Sequence, residues 1–400
     1  MSRTNPYSPG AGTRPPVLAG RAGQLALVRS IADQVEVGRE ANPLIYTGLR
    51  GMGKTALLKE ALDELRRRGW LAGYYEVRRD VDPGAAVASI VDDGARLADG
   101  GIRKALKDGI HRIGQAKLAI GAAGVSLEIM PADSAGAAAS DPYPALLTLL
   151  RDLGESARKT DTGVALLVDE LQVFRKRDLA VLIQALSAVK ELPVVLIGAG
   201  LPYLPSEMSK ANTYAERFRY ESVDSLRESD IRLAVTEPAK KAGVTWEDAA
   251  VNRVVELSAG YPYFVQLYAS ETWEAADDAA DITANDIDAA LVPVQRQLDT
   301  GLYAARYERL SETERAYVHA MVRTMDLERS ETPFDLRLQP ERVGSGDVAA
   351  NLGKSINAVA PTRDRVIRKG VIHSPQFGLL EFSVPGFATY VSRRMQSEGL

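Results

Sequence analysis

The chain has 400 residues, of which 46% are hydrophobic and 26% are charged, and its formal net charge is −4. This length favours two or three domains, and the composition is typical of a folded globular protein. There is no cysteine and there are only three histidines, which excludes disulfides, zinc–thiolate sites and cysteine nucleophiles and disfavours a histidine-based metal site.

Two further properties bear on location and partners. No apolar run approaches the ~20 residues that span a bilayer, and the start of the chain is polar and carries prolines, unlike a secretory signal. We therefore expect a cytoplasmic protein with no membrane partner. The acidic net charge argues against nucleic acid along the whole surface, but residues 351–400 carry seven basic and three acidic residues. A local basic patch of this kind indicates an anionic partner.

The first part of the chain alternates between strand and helix signals. A proline-bearing arm of about 15 residues precedes a predicted helix at 22–37, a short strand at 43–47 and a glycine-rich turn. A helix at 55–68 and a strand at 71–77 follow, and then residues 85–139, where the pattern is least clear and predicts helices near 86–97 and 103–120.

Clearer signals return after this segment. Helices at 143–158 and 178–190 each lead into a continuous apolar strand, at 163–168 and 193–197. Apolar strands of this kind are buried in parallel sheets. The alternation predicts an α/β fold, with a parallel sheet that carries helices on both faces.

The remainder is mostly helical. Beyond about residue 227 the periodicity predicts four helices, at 229–242, 246–257, 262–275 and 284–298. From about residue 310 it predicts three more helices and two β-like runs, at 313–325, 345–352, 356–369, 371–374 and 379–383. We accordingly predict three domains: 1–226 including the arm, 227–300, and 301–400.

One motif carries a specific chemistry. The segment after the first strand fits G-x-x-x-x-G-K-[ST], in which glycines let backbone N–H groups wrap around phosphates and the next helix adds its positive end. Its lysine would reach the β- and γ-phosphates of ATP, and its threonine hydroxyl would bind Mg²⁺. The predicted nucleotide-binding residues are Gly48, Leu49, Arg50, Gly51, Met52, Gly53, Lys54 and Thr55.

Two acidic residues stand at the end of a later apolar strand. Asp169 and Glu170 follow the strand at 163–168, and the carboxyl end of a buried parallel strand lies beside such a loop. Asp169 would hold the metal and Glu170 would polarise the attacking water. The alternative is that these acids form a solvated strand end or a helix cap.

With these motifs the chain resembles the AAA+ and STAND ATPases of the archaeal-ATPase and replication-initiator type over nearly its whole length. Leu18-Ala19-Gly20-Arg21 resembles the family's box near the adenine, and Asp169-Glu170-Leu171-Gln172 its Walker B motif. Gly260-Tyr261-Pro262-Tyr263 resembles the G-x-P motif of the STAND lid. The resemblance implies that Arg21 and Pro262 contact the nucleotide, that residues 1–226 bind ATP, and that residues 227–300 form a helical lid.

The resemblance has two departures. Residues 197–202 occupy the sensor-1 position with glycines where many AAA+ members carry a polar residue, and no sensor-2 arginine is evident. These departures favour a slow, switch-like ATPase. Residues 215–219 resemble the segment that bears an arginine finger, which acts on a neighbouring subunit and so implies self-association. Arg217 is the first candidate and Arg219 the second; the alternative for Arg217 is a surface ion pair with Glu216 or Glu221.

The last hundred residues look like a winged helix. The helices at 346–352 and 356–369 have the lengths of a helix-turn-helix, and the following hairpin would be the wing. Phosphate-positioning and base-reading residues would lie on the second helix. The predicted contacts to duplex DNA are Asn357, Arg363, Arg365, Arg368 and Lys369.

The leading hypothesis is therefore an ATP-hydrolysing switch that couples nucleotide state to DNA binding. One alternative is an oligomerising signalling switch whose winged helix binds protein, with residues 85–139 as a partner surface. A second alternative is a phosphotransferase that uses the same loop on a small acceptor.

Overall fold

The computed structural model describes residues 4–10, 12–97, 118–121, 124–127, 142–277, 279–325 and 342–399. Its contacts divide the chain into two units. The first unit comprises residues 1–20, 49–52 and 225–400, and the second comprises residues 21–48 and 53–224. Within the described ranges, every helix is too short or too polar to cross a membrane.

The second unit contains an open parallel sheet with the strand order β2-β5-β6-β1-β7. Its strands are β1 (Leu44–Thr47), β2 (Leu71–Glu76), β5 (Val164–Asp169), β6 (Val194–Gly200) and β7 (Arg219–Ser222). Its helices are α1 (Ala22–Glu36), α2 (Lys54–Arg67), α3 (Pro83–Leu97), α4 (Tyr143–Lys159), α5 (Lys176–Ala188) and α6 (Leu204–Ala211). This architecture confirms the predicted α/β fold class.

Both faces of the central strands are buried, which explains their continuous apolar sequences. All six residues of β5 and all seven of β6 are buried. Because side chains alternate along a strand, Leu166 and Val168 enter the core shared with α3, α4 and α5, while Leu167 faces the other way. The predicted apolar face of α2 is confirmed, since Leu57, Leu58, Ala61, Leu62 and Leu65 are all buried.

The segment between β2 and β5 gives one correction. The helix predicted at 103–120 lies mostly outside the described residues, but its end does not form a helix. Leu118–Gly121 (β3) pairs antiparallel with Gly124–Leu127 (β4), with Leu118 opposite Leu127. The β-branched residues Ile120 and Val125 lie opposite each other in this hairpin, an arrangement that favours strand over helix. Apart from α3 and this hairpin, the proposed partner surface at 85–139 lies outside the described residues.

The first unit is dominated by helices. They are α7 (Glu228–Lys241), α8 (Asp248–Ser258), α9 (Pro262–Ala275), α10 (Ala284–Gln297), α11 (Ala304–Glu308), α12 (Glu312–Thr324), α13 (Ser345–Asn351), α14 (Ile356–Arg368) and α15 (Phe387–Glu398). The short strands are β8 (Thr245–Trp246), β9 (Asp281–Ile282), β10 (Val343–Gly344), β11 (Ile372–His373) and β12 (Leu379–Phe382). Helix α15 was not predicted, although its buried residues Phe387, Tyr390, Val391 and Met395 follow helical spacing.

The N-terminal arm packs on helices of the same unit. Tyr7 is 5% exposed, and its ring makes edge contacts with Trp246 and Trp273. Its hydroxyl donates to the carbonyl oxygen of Val235 at 2.5 Å and accepts from the Trp246 indole at 3.0 Å. The aromatic contacts and satisfied hydroxyl fasten the arm to α7, β8 and α9. The domain boundaries at 226 and 300 stay predictions.

The C-terminal part combines helices α12, α13 and α14 with an antiparallel sheet in the order β10-β12-β11. A buried carboxylate lies beneath α14. Glu314 of α12 is 2% exposed and accepts hydrogen bonds from Lys369 at 2.5 Å and from the Ser311 backbone at 2.8 Å. Burial alone would raise the pKa of Glu314, but these hydrogen bonds outweigh it and hold that pKa below its ordinary value.

This pair predicts a pH-dependent stabilisation. Because the folded pKa of Glu314 is lowered, its contribution is full above the ordinary glutamate pKa and is lost as the pH falls through the folded value. We expect Glu314→Gln to lower the free energy of unfolding by about 1–3 kcal/mol at neutral pH. Thermal unfolding should show that this deficit shrinks in acid. The control is Glu312→Gln, which removes an exposed carboxylate of the same helix. Equal midpoints for both variants would contradict the prediction.

Candidate functional site

The two ends of the glycine-rich loop belong to the second unit. Gly48 follows β1 and its N–H donates to the Gly200 carbonyl oxygen at 3.2 Å. Gly53 has φ +85°, a left-handed conformation that glycine adopts without strain, and α2 starts at the next residue. Lys54 is 6% exposed and its ammonium donates to the Gly48 carbonyl oxygen at 2.8 Å. The loop thus ends at a helix N-terminus, which favours bound phosphate.

The tip of the loop, residues 49–52, belongs to the first unit. There the Tyr261 hydroxyl donates to the Arg50 carbonyl oxygen at 2.5 Å. Tyr261 is 1% exposed, and burial raises its pKa to about 12, so it remains a protonated donor at neutral pH. A β-carbon on Gly51 would lie 2.0 Å from the Tyr261 oxygen. Gly51 therefore leaves room for this tyrosine.

The motif that contains Tyr261 was predicted to act through Pro262. In the structure Pro262 is the first residue of α9, a position that tolerates proline because its N–H has no helical partner. The residue of this motif that contacts the loop tip is Tyr261, which the sequence analysis did not single out. Nothing in the order glycine, tyrosine, proline, tyrosine indicates that Tyr261 contacts the loop tip.

Asp169, the first of the two acids, lies within hydrogen-bonding distance of the start of α2. Asp169 is 2% exposed, and its Oδ2 accepts from the Thr55 hydroxyl at 2.6 Å and from the Tyr74 hydroxyl at 3.2 Å. Its Oδ1 accepts from the Glu170 backbone N–H at 2.8 Å. Burial and, next, the charge of Asp169 raise the pKa of Tyr74. Tyr74 was not predicted, because no local sequence signal marks a strand residue whose side chain contacts a neighbouring strand.

The residues present fit a magnesium ion. A hydroxyl and a carboxylate oxygen are hard donors of the type that Mg²⁺ prefers, and Mg²⁺ takes its other ligands from water and substrate phosphates. Among the described residues there is no group of three or more acids, histidines or cysteines that would form a metal site by itself. The Thr55–Asp169 pair is thus the arrangement that would hold the ion together with a nucleotide.

Glu170, predicted to polarise the attacking water, has left-handed backbone angles of φ 55° and ψ 38°. Its Oε2 accepts a hydrogen bond from the side-chain amide of Gln172. A left-handed conformation costs a residue with a β-carbon about 1–2 kcal/mol, so the turn after β5 holds this residue in a strained position. Strain of this kind clusters at functional sites.

The arginines predicted to contact nucleotide, in the same or a neighbouring subunit, differ in environment. Arg21 is 5% exposed and donates to the Asp224 carbonyl oxygen at 2.7 Å. Arg217 is exposed and its guanidinium lies 5.6 Å from the centre of the Tyr214 ring. Within the described part of the chain no ion pair joins Arg217 to Glu216 or Glu221, the alternative considered above. Arg219, the second finger candidate, is exposed at the start of β7.

The five predicted DNA contacts lie on or just after α14, but their side chains are not equivalent. Asn357 and Arg368 are exposed. Arg363 donates to its neighbour Asp364 at 3.3 Å and to the Ser345 hydroxyl at 3.4 Å. Arg365 lies 3.4 Å from the Glu314 carboxylate, and Lys369 bonds the same group at 2.5 Å. Two of the four cations in this set are therefore held by one buried acid.

A parallel sheet of this strand order is the architecture of P-loop ATPase domains, with a glycine-rich loop between a strand and a helix and an aspartate at the end of another strand. Residues 17–197 match the family described as the AAA ATPase domain. This part of the chain is accordingly a nucleotide-binding ATPase domain of the AAA+ type. Residues 300–391 match a domain of unknown function, DUF8462.

Solved structures are similar over most of the chain. The Walker-type ATPase PABY2304 of Pyrococcus abyssi is 14% identical with a TM-score of 0.59, over 95% of this chain and 97% of that one. At this identity the likeness shows the fold. The ORC1 protein of Aeropyrum pernix, solved in complex with DNA, is 14% identical with a TM-score of 0.46, over 96% and 95% of the two chains.

The RuvB Holliday junction branch migration motor of Thermotoga maritima is 13% identical with a TM-score of 0.43, over 95% of each chain. In the comparison with curated proteins, no sequence matches.

The contact at the loop tip generates a prediction with a matched control. Gly51 and Gly53 both have left-handed angles, φ +87° and +85°, but only Gly51 has a neighbour within 4 Å of a built β-carbon. At both positions the left-handed backbone disfavours alanine, by about 1 kcal/mol. We expect Gly51→Ala to lower the unfolding midpoint of nucleotide-free protein more than Gly53→Ala does.

The Gly51→Ala loss should be partly relieved by Tyr261→Ala, which removes the clashing hydroxyl and ring. Differential scanning calorimetry of the two single variants and the double variant would measure this. Equal midpoints for the two glycine variants would show that the Tyr261 contact does not constrain the loop tip.

Proposed function

We propose that the protein is a slow, switch-like ATPase of the STAND type that couples nucleotide state to duplex DNA binding through a C-terminal winged helix. The observation that carries the nucleotide half is the 2.6 Å hydrogen bond between the Thr55 hydroxyl and Asp169. It supports the metal-binding roles of both residues, because an ion beside the terminal phosphates needs these two oxygens close together.

Each residue of the site has one role in the proposed reaction. Backbone N–H groups of residues 48–55 and the Lys54 ammonium bind the phosphates. Thr55 and Asp169 would hold Mg²⁺, which would neutralise charge on the β- and γ-phosphates. Glu170 accepts a proton from water as the water oxygen attacks the γ-phosphorus. The bond from that phosphorus to the bridging oxygen breaks, and the products are ADP and inorganic phosphate.

The end of β6 supports slow turnover. The end of β6 carries Gly198 and Gly200 in place of a polar sensor-1 side chain. A developing charge with fewer donors around it is stabilised less, so hydrolysis is slower. Slow hydrolysis leaves the ATP-bound state populated long enough to act as a signal.

Self-association would complete the site. We propose that Arg217 acts on the γ-phosphate bound by a second copy, with Arg219 as the alternative. The exposure of Arg217 and its contact with the Tyr214 ring support this role, because a cation on a fixed aromatic face is held in place without being neutralised.

The winged-helix assignment rests on the three helices and the antiparallel sheet of the C-terminal part. Helix α14 is the second helix of the helix-turn-helix, and its N-terminal residues are those that read bases in such modules. Asn357 and Arg368 are exposed and are proposed as a base-reading and a phosphate contact. Arg363, Arg365 and Lys369 would add positive charge along the same helix.

The first experiment is steady-state ATP hydrolysis at low salt, with and without duplex DNA. We expect Lys54→Ala to reduce turnover to background, because the variant loses the cation that contacts the β- and γ-phosphates. DNA should stimulate the wild-type protein. Lys59→Ala, on the same helix, is the matched control for loss of a lysine. Wild-type turnover no greater than that of Lys54→Ala would refute the ATPase proposal.

The second experiment measures duplex affinity as a function of salt. Arg368→Gln should weaken binding to all sequences and reduce the slope of log affinity against log salt by about 1, as for loss of one phosphate contact. Lys241→Gln, which removes an exposed charge on α7, should leave the slope unchanged. A protein with no salt-sensitive affinity for any duplex would overturn the DNA half of the proposal.

A second candidate function is supported by Glu314. Because this acid holds Lys369 and lies close to Arg365, the charge available to DNA is smaller than the sequence indicates. This favours the alternative in which the winged helix binds protein and ATP drives oligomer formation. Turnover that depends on Lys54 but not on DNA, together with nucleotide-dependent self-association, would support it.

A further inference from the structure

The glycines at the end of β6 pose a physical question. A β-carbon on Gly200 would lie 2.6 Å from the side-chain oxygen of Gln172 and 2.4 Å from a methyl carbon of Leu204. A β-carbon on Gly198 would lie 2.3 Å from a methyl carbon of Leu171. The turn of residues 171–173, which follows Glu170, therefore fills the space that side chains on the end of β6 would occupy.

Gln172 joins two parts of the second unit. Its Oε1 accepts from the Leu201 backbone N–H at 3.1 Å, just after β6. Its Nε2 donates to Oε2 of Glu170. A neutral amide has one accepting and one donating end, and these two partners fix which end is which. A glutamate at this position would present an anion to the Glu170 carboxylate in place of a donor.

Glu170 needs such a partner. Its left-handed backbone, φ 55°, directs the side chain away from the path of a continuing strand, and a flexible carboxylate has several rotamers to choose among. The Gln172 amide selects one of them and anchors it to the backbone of a neighbouring strand end. Asp169 is held separately, by Thr55 and Tyr74.

We propose that Gln172 is the positioning residue for Glu170, and that it supplies from the turn after β5 the polar group that glycine at the end of β6 does not supply. The proposal rests on the proposed function, because it takes Glu170 as the group that activates water. A positioning role for Gln172 accounts for three observations: the glycine at the sensor-1 position, the strained turn, and the amide between the two strand ends.

The test is a set of variants with kinetic and structural measurements. Gln172→Ala should lower kcat about 10- to 100-fold, the cost of misplacing a catalytic group by a fraction of an ångström to an ångström. The KM for ATP and the affinity for a non-hydrolysable analogue should change less than about twofold, because Gln172 contacts Glu170 and not the phosphate-binding residues. Gln172→Glu should behave like Gln172→Ala. Gln184→Ala, an exposed glutamine on α5, is the control.

A double-mutant cycle separates positioning from general structure. If Gln172 acts through Glu170, Gln172→Ala should cause no further loss of kcat in a Glu170→Gln background. A parallel loss of kcat, analogue affinity and unfolding midpoint would mean a structural role and would overturn the proposal. An unchanged or raised kcat in Gln172→Ala would overturn it as well.

Crystal structures of wild type and Gln172→Ala, both with the analogue, provide a measurement that does not depend on turnover. We expect the Glu170 carboxylate to leave its wild-type position in the variant; an unchanged carboxylate would overturn the inference. Failure of the proposed function has a different signature, since wild-type turnover would then equal that of Lys54→Ala, whatever the Glu170 position.

Discussion

The hydrogen bond between Thr55 and Asp169, at 2.6 Å, joins the first turn of α2 to the end of β5, two elements that are 114 residues apart in the sequence. It exists because β1 and β5 are parallel strands of one sheet whose carboxyl ends lie at the same edge. Tyr74 of β2 donates to the same carboxylate, so two strands and a helix contribute to the position of one aspartate. The arrangement is polar and buried, and it is stable only because each oxygen has a donor.

Within each of the two units, a glycine marks a place where a distant side chain needs room. Gly51 leaves space for the Tyr261 hydroxyl, and Gly200 leaves space for the Gln172 amide. In both cases the intruding side chain donates or accepts a hydrogen bond with the backbone, at Arg50 and at Leu201. Beside the glycines at the end of β6, the neighbouring turn carries the Gln172 amide, which bonds to Glu170 and to the Leu201 N–H. This is why departures from a family's motif have to be judged with the contacts around them.

The C-terminal part shows how one set of charges serves two demands. Lys369 and Arg365 meet a buried acid, and a buried carboxylate without such partners would be costly. Cations that form ion pairs with Glu314 contribute less positive charge to the binding of a phosphate backbone. Asn357 and Arg368 are exposed on the same helix, and the DNA proposal assigns direct contacts to them.

Elements with a local signal could be predicted from the sequence. The apolar strands β5 and β6, the amphipathic α2, the phosphate-binding loop and the acid pair all follow from periodicity and spacing within a few residues, and the fold class follows from their order. Helix α15 was missed although its periodicity was present. Hydrogen bonds between different elements depend on how the chain packs and could not be predicted. They join Tyr74 to Asp169, Tyr261 to the loop tip, Gln172 to Glu170, and Lys369 to Glu314. These partners are between 2 and 211 residues apart, and even the nearest pair depends on a left-handed turn. Side-chain chemistry names the groups that are able to bond, but the packing of strands and helices selects which of them do.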